Sequence, residues 1–354
     1  MKKLSRIASL LFIILSSACR PDPISEIIAG MPLRDKVAQL IVAHHYDPII
    51  DSLVAYDHIG GVIVMVSTKA EVDTLLPKLQ ASSRIPLFTC IDAEWGAQMR
   101  MKQDYPAYPR AMAIGRSADP LSFAREVGYQ TGLELKSLGI AANLAPVADV
   151  NTNPANPVIG TRSFGDTPQK VYELARSYSD GLHDAGVFSC AKHFPGHGDT
   201  SVDSHKALPV LLHDRARLDS VELYPFRRLI EDGAVEMVMT GHLSVPALDS
   251  TGTPASISKP INDFLRDSLG FAGVIVTDGM NMRGVTSLFG GSDIPGSVEA
   301  LKAGADLILA PVSCRGIIDA FTSVVERGEY PEEELDKKVY RVLKLKQKSG
   351  LIQN

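Results

Sequence analysis

The sequence predicts one α/β domain, a (β/α)8 barrel of the TIM type, and three observations carry that prediction. Eight short apolar runs recur along the chain, longer amphipathic stretches separate them, and no GxGxxG turn follows the first run. The first two features are those of a parallel sheet buried on both faces and wrapped by helices. The third argues against an open doubly wound sheet built for a dinucleotide.

The runs come in order as AQLIVA (38–43), GVIVMV (61–66), PLFTCID (86–92), IAANLAPVADV (140–150), VFSCAKH (187–193), EMVMTGH (236–242), GVIVTD (273–278) and ADLILA (305–310). Each is short, apolar or β-branched, and bounded by Gly, Pro or polar residues, as buried strands are. Between them lie helix patterns. Residues 119–139 start at Asp119-Pro120, a cap followed by proline at the first helical position, and stop at Gly139. Phe123, Val127, Leu135 and Leu138 fall on one face there. Residues 167–186 repeat the scheme, with Thr167 as cap and Gly186 as stop. Residues 297–309 and 331–350 complete the set.

Composition narrows the function. The chain has 354 residues, 45% of them hydrophobic and 22% charged, which is ordinary for a globular protein. A net charge of −5 provides no electrostatic footprint for nucleic acid. No repeat period or low-complexity tract is present.

Residues 1–18 read as a signal peptide of lipoprotein type, and 19–354 as the barrel domain. Lys2, Lys3 and Arg6 precede an apolar run over 7–15, too short to span a bilayer. Ser16, Ser17 and Ala18 then lead to Cys19, the expected site of lipidation, although Ser16 stands where Leu is commoner. The expected location is therefore an exported lipoprotein, on a periplasm-facing or outer membrane surface. Cys90, Cys190 and Cys314 sit in or just after apolar runs and read as buried small hydrophobes, with no CxxC spacing and no even disulfide framework.

Several strands end in ionisable groups: Asp92 and Glu94 after the third, Lys192 and His193 on the fifth, His242 after the sixth, Asp278 on the seventh. In this fold the C-terminal strand ends form the active face. One buried charge there is commonly a structural anchor, but several at once point to an enzyme. The densest stretch is AKHFPGHGDTSVDSHKALP (191–209), with Lys192, His193, His197, Asp199, Asp203 and His205. A metal centre on His193, His197, Asp203 and His205 is the sharpest rival. However, Pro195, Gly196 and Gly198 interrupt the helix that His-x3-His would need to bring both rings to one face. His197 reads as a loop-packing residue and Asp199 as a cap or turn former.

The segment KHFPGHGDT…DSH, the strand end VIVTDGMNM and the early IDAEWG…R resemble glycoside hydrolase family 3, and within it the single-domain bacterial β-N-acetylglucosaminidase branch. The likeness runs from MPLRDKVAQL to the C-terminal helix. It implies a retaining mechanism with two groups flanking the glycosidic bond. Asp278 would be the nucleophile. His205, oriented by Asp203, would be the acid/base in place of a second carboxylic acid. Asp92, Arg100, Arg162, Lys192 and His193 would bind sugar hydroxyls. There are two departures. Trp95 stands where the family's D-x-E-G-G has its first Gly, and could stack on a sugar or pack the loop. Gly279 stands where Ala is common.

The resulting expectation is an exo-acting β-N-acetylglucosaminidase that removes terminal GlcNAc from peptidoglycan-derived fragments, without cofactor or metal. Its partners are the carbohydrate and, through the N-terminal lipid, a membrane. A β-glucosidase or β-xylosidase of the same family, a GlcNAc phosphorylase and a non-catalytic sugar-binding lipoprotein are the alternatives. The first usually takes its acid/base from a second domain and lacks the D-S-H pair. The second stays open because a histidine acid/base does not repel an anionic acceptor. The last has no need of Asp278, Asp203 and His205.

Overall fold

The computed structural model describes residues 22–202 and 208–353. The signal segment 1–18, Cys19, Asp203 and His205 lie outside the described residues.

All eight apolar runs become strands: β1 Ile41–His44, β2 Gly61–Val64, β3 Phe88–Ile91, β4 Ala142–Asn143, β5 Phe188–Phe194, β6 Met237–Thr240, β7 Val274–Thr277 and β8 Ile308–Leu309. They pair in parallel in the order β7-β6-β5-β4-β3-β2-β1-β8. A parallel bridge from Val276 to Leu307 returns β8 to β7. There the Thr277 amide donates to the Leu307 carbonyl (3.0 Å) and the Leu309 amide to Thr277 Oγ1 (3.1 Å). The ring is thus closed and has no free edge. β1, β2, β3, β6 and β7 are buried at every position, which explains why they read as continuous apolar runs without alternation.

The helices form where the pattern places them. The Asp119 side chain accepts from the Ser122 amide (3.3 Å) and caps Pro120–Ser137; Val127, Leu135 and Leu138 are buried and Phe123 is half-buried. Thr167 precedes Pro168–Asp184 as N-cap, although its side chain makes no capping bond. These two helices cross closely. A Cβ on Gly128 would lie 2.2 Å from the Tyr178 carbonyl oxygen, and one on Gly181 2.1 Å from that of Arg125. Only glycine permits that contact. The helix predicted over 297–309 forms earlier, at Ile294–Ala303, and β8 takes the remainder. Cys90, Cys190 and Cys314 are buried free thiols, and burial raises the pKa of each. No described helix is long and apolar enough to cross a membrane.

The C-terminal helix Glu332–Lys348 covers the end of the barrel away from the strand C-termini. Its anchor is Asp306, fully buried just before β8. One Asp306 oxygen accepts from Arg341 Nε (2.9 Å) and Nη2 (2.7 Å). The other accepts from Arg266 Nη2 (2.7 Å) and the Ile275 amide (2.9 Å). Lys338 reaches the Ala305 carbonyl (2.9 Å) and Lys346 reaches Gln39 (2.7 Å), both from buried positions.

Removing one member of a buried charge cluster leaves the others unpaired. Asp306→Asn should therefore destabilise the fold by about 3 kcal/mol, lowering the thermal midpoint on the order of 10 °C. Calorimetric melting measures it, and an unchanged midpoint would show that the clamp contributes nothing.

Candidate functional site

The C-terminal ends of the strands open into a cleft of about 320 Å³. Its polar wall is built on β3 and β5. Lys192 projects from β5 into the cleft wall and is only 2% exposed. An ammonium at that depth needs anionic partners, and the loop after β3 supplies two: Asp92 Oδ1 at 2.6 Å and Glu94 Oε1 at 2.7 Å. Each carboxylate is shared with an arginine. Arg100 meets Asp92 through Nη2 (2.6 Å) and the Asp92 carbonyl through Nε (2.9 Å). Arg162 grips Glu94 through Nη2 (2.6 Å) and Nε (2.9 Å), a bidentate geometry. The turn Ala97–Met99 that precedes Arg100 is anchored by Glu134, which accepts from the Ala97 amide (3.0 Å) and Tyr108 Oη (2.8 Å). Burial alone would raise the Glu94 pKa, but Lys192 and Arg162 hold it well below the usual carboxylate range. Burial would lower that of Lys192, and Asp92 and Glu94 raise it instead. Glu94, Lys192 and Arg162 are therefore held in their charged forms.

His193 follows Lys192 in the same strand, where alternation would turn it away from the cleft. The β5–β6 register slips between Lys192 and Phe194. Such an irregularity re-aims a side chain, and both residues line the cleft. Asp149, fully buried after β4, fixes the result. It accepts from His193 Nδ1 (2.7 Å) and the His193 amide (3.2 Å), and its Oδ1 accepts from the His197 amide (2.6 Å). His193 Nε2 then faces Arg162 Nη2 at 3.4 Å. The loop beyond lies hard against the β4 end: a Cβ on Gly198 would sit 1.9 Å from the Val150 carbonyl oxygen.

Asp278 ends β7, half-buried at the cleft. Its amide donates to Thr240 O (2.9 Å), and its own Oδ1 accepts from the Gly279 amide (2.8 Å). Burial raises its pKa, but His193, His242, the Gly279 amide and Lys192 together lower it to about 2. Among the described residues no cation lies within ion-pair distance of it, so its carboxylate is ionised yet unclaimed. His242, fully buried, engages Ser256 Oγ (2.7 Å) and the Gly279 carbonyl (2.9 Å), and so supports the turn that follows Asp278.

The opposite wall is less polar: His44, Tyr46, Ile63, Met65, Met282, Leu309 and Ala310 line it, with Asn281 beside His44. Tyr46 stacks on His44 (centroids 4.7 Å apart) and is 58% exposed at the mouth.

Six sequence-predicted site residues, Asp92, Arg100, Arg162, Lys192, His193 and Asp278, thus meet around one cleft, although they span nearly two hundred positions. Trp95 is not at the cleft. It lies under the Arg110 guanidinium (4.5 Å) and packs the loop. The reading of His197 as loop packing needs correction, since the Asp149 bond to its amide turns its ring onto the cleft wall. Asp199 pairs with His213 (2.5 Å) rather than simply capping a turn. With Glu222 these two form a group of side chains close enough to share an ion, but Arg217 already binds Glu222 (3.1 Å). Sequence reasoning did not single out Asp149, His44, Tyr46 or Asn281. A lone aspartate inside the apolar run 140–150 was the one available signal for Asp149.

The model of the glycosyl hydrolase family 3 N-terminal domain matches residues 32–345. A β-hexosaminidase A of Pseudoalteromonas piscicida is 35% identical over 332 residues, 85% of this chain; this chain spans 55% of that protein's length. The β-hexosaminidase LpqI of Mycobacterium tuberculosis is 34% identical over 335 residues, covering 90% of this chain and 84% of the relative. Among solved structures, a family 3 β-N-acetylglucosaminidase from Paenibacillus sp. str. FPU-7 superposes with a TM-score of 0.86 at 39% identity, over 92% of this chain and 64% of that one. The match covers every strand of the barrel and every cleft residue described above, and on that extent the chain belongs to glycosyl hydrolase family 3, whose members act on glycosidic bonds.

Proposed function

We propose that this protein is a retaining exo-β-N-acetylglucosaminidase acting on terminal GlcNAc of peptidoglycan-derived fragments. The observation that carries the reading is Asp278, an ionised carboxylate with no cation bound to it among the described residues, facing a wall of paired charges. A carboxylate locked in a salt bridge is a poor nucleophile, whereas this one is free to attack an anomeric carbon. Asp92, Arg100, Arg162, Lys192 and His193 would hold the hydroxyls of the terminal sugar. Fixed dipoles and charges of this kind cost no reorganisation during reaction.

Retention also requires a proton donor. Glu94 does not suit that role, because its two cations keep it ionised, and a general acid needs a raised pKa. His242 has both ring nitrogens engaged. The resemblance to family 3 points instead to the sequence pair Asp203 and His205. Asp203 would orient the ring and His205 would give its proton to the leaving oxygen and recover one from water. The names of the relatives, β-hexosaminidase and β-N-acetylglucosaminidase, favour GlcNAc as the sugar.

The mature protein should be assayed with aryl GlcNAc, aryl glucose and GlcNAc-terminated muropeptides, with and without phosphate. Release of free GlcNAc from the first and third is the expected result. Preference for glucose would overturn the sugar assignment, and phosphate-dependent sugar phosphate formation would make the enzyme a phosphorylase.

Asp278→Asn should lower kcat by roughly 10³-fold or more, a loss on the order of 4 kcal/mol, while the fold survives the isosteric swap. Because the folded-state pKa lies below the unfolded one, the stability linked to this group is present above about pH 4 and is lost only as the pH falls through about 2. Steady-state kinetics checks the first point, and a difference titration of carboxyl ¹³C signals, wild type against Asp278→Asn, checks the second. Near-wild-type turnover, or a midpoint above pH 4, contradicts the assignment.

We further propose export and lipid anchoring through Cys19. Cys19→Ser should release the protein from the membrane fraction or block its maturation, since several acyl chains anchor firmly. A wild-type protein that is wholly soluble, with an unmodified N-terminus by mass spectrometry, would remove Cys19 from the account.

A further inference from the structure

Among the described residues, two buried nitrogens of cleft-lining side chains have no hydrogen-bond partner, His44 Nδ1 and His197 Nε2. His197 is 1% exposed and lines the cleft, and among the described residues its Nε2 meets no hydrogen-bonding atom. The rest of the residue is heavily constrained. Its amide donates to Asp149 (2.6 Å), its carbonyl accepts from Asn156 Nδ2 (2.8 Å) and Thr200 Oγ1 (3.0 Å), and its Nδ1 contacts Thr200 Oγ1 (2.6 Å). Its ring stands edge-on to that of His193, with centroids 6.0 Å apart. A buried polar atom without a partner is destabilising, and simple loop packing would be served better by an apolar ring. The scaffold instead orients an imidazole beside the residues that face the sugar.

The direction of the missing bond follows from the chemistry. Thr200 has one hydroxyl hydrogen and touches both the His197 carbonyl (3.0 Å) and Nδ1 (2.6 Å); we assign the hydrogen to the carbonyl, the partner that can only accept, so that both contacts are hydrogen bonds. Its oxygen then receives Nδ1–H, which leaves Nε2 as a bare acceptor. Burial and the neighbouring His193 lower the His197 pKa, so the ring is neutral. A pyranose bound in the cleft offers hydroxyl donors to such an acceptor.

We propose that His197 is a further substrate-positioning residue, whose Nε2 accepts a hydrogen bond from a hydroxyl of the terminal sugar. This rests on the glycosidase reading of the same cleft.

The test couples protein and substrate changes. His197→Phe and His197→Gln are assayed on an aryl glycoside and its 3-, 4- and 6-deoxy analogues, the parent sugar being whichever of GlcNAc and glucose the wild type cleaves faster. His197→Phe should lose roughly tenfold or more in kcat/KM on the parent and on two of the analogues, but little on the one lacking the contacted hydroxyl. His197→Gln, which retains an acceptor, should recover much of the loss. An equal loss on all four substrates would make His197 structural and overturn the proposal. Should His197→Phe fail to fold, the ¹⁵N resonance of Nε2 in the Asp278→Asn protein decides. It should move upfield when the aryl glycoside binds, and an unmoved signal on saturation overturns the proposal. A failure of the GlcNAc assignment would appear in the parent rates, separately from the coupling.

Discussion

The site depends on the burial of one ammonium group. Lys192 reaches into the top of the barrel from β5 with almost no access to water, and it can stay charged there only because Asp92 and Glu94 converge on it from the end of β3. Leaving it unpaired would cost several kcal/mol. The pairing therefore ties β3 and β5 together across β4 and dictates the course of the β3 loop. Arg100 and Arg162 follow as the second partners of those carboxylates. The positions of five groups are coupled, so the cleft is stiff before any sugar enters.

That network also decides which carboxylates can do chemistry. Asp92, Glu94 and Asp149 are each held by at least one cation or imidazole, and all their capacity goes into geometry. Asp278 differs. It is kept ionised by His193, His242 and Lys192 at longer range and by the Gly279 amide at 2.8 Å, without a close counter-ion among the described residues. On the proposed retaining mechanism, low basicity with an open face is the compromise expected of a carboxylate that adds to a carbon and later leaves it. Asp149 has a different task, because by binding the amides and rings around His193 and His197 it turns a strand irregularity into two imidazoles facing one cleft.

The barrel was legible because its strands are buried on both faces. Each had to be a compact apolar run, and each ended where the polar face begins, so Asp92, Lys192, His193 and Asp278 stood out at run ends. Helix starts were equally local, since Asp119-Pro120 and Thr167-Pro168 carry their signal within two residues. The boundary of Ile294–Ala303 was harder, because the apolar run into β8 continues the helical pattern without a break until Gly304.

By itself the sequence determined the eight-stranded parallel architecture, the face that carries the chemistry, and the candidacy of Asp278 and the Lys192–His193 pair. All of these follow from local burial patterns and from polar residues at run ends. Tertiary structure alone decided which charges neutralise which. Nothing local announces that Asp92, rather than Glu94, is shared with Arg100, that Asp149 serves two histidines, or that Trp95 packs under Arg110 away from the cleft. It also decided that His197 lines the cleft with a nitrogen that has no partner among the described residues. Such pairings join residues up to a hundred positions apart, and their energies depend on distances of a few ångströms in a low-dielectric wall, which exist only after the strands have closed.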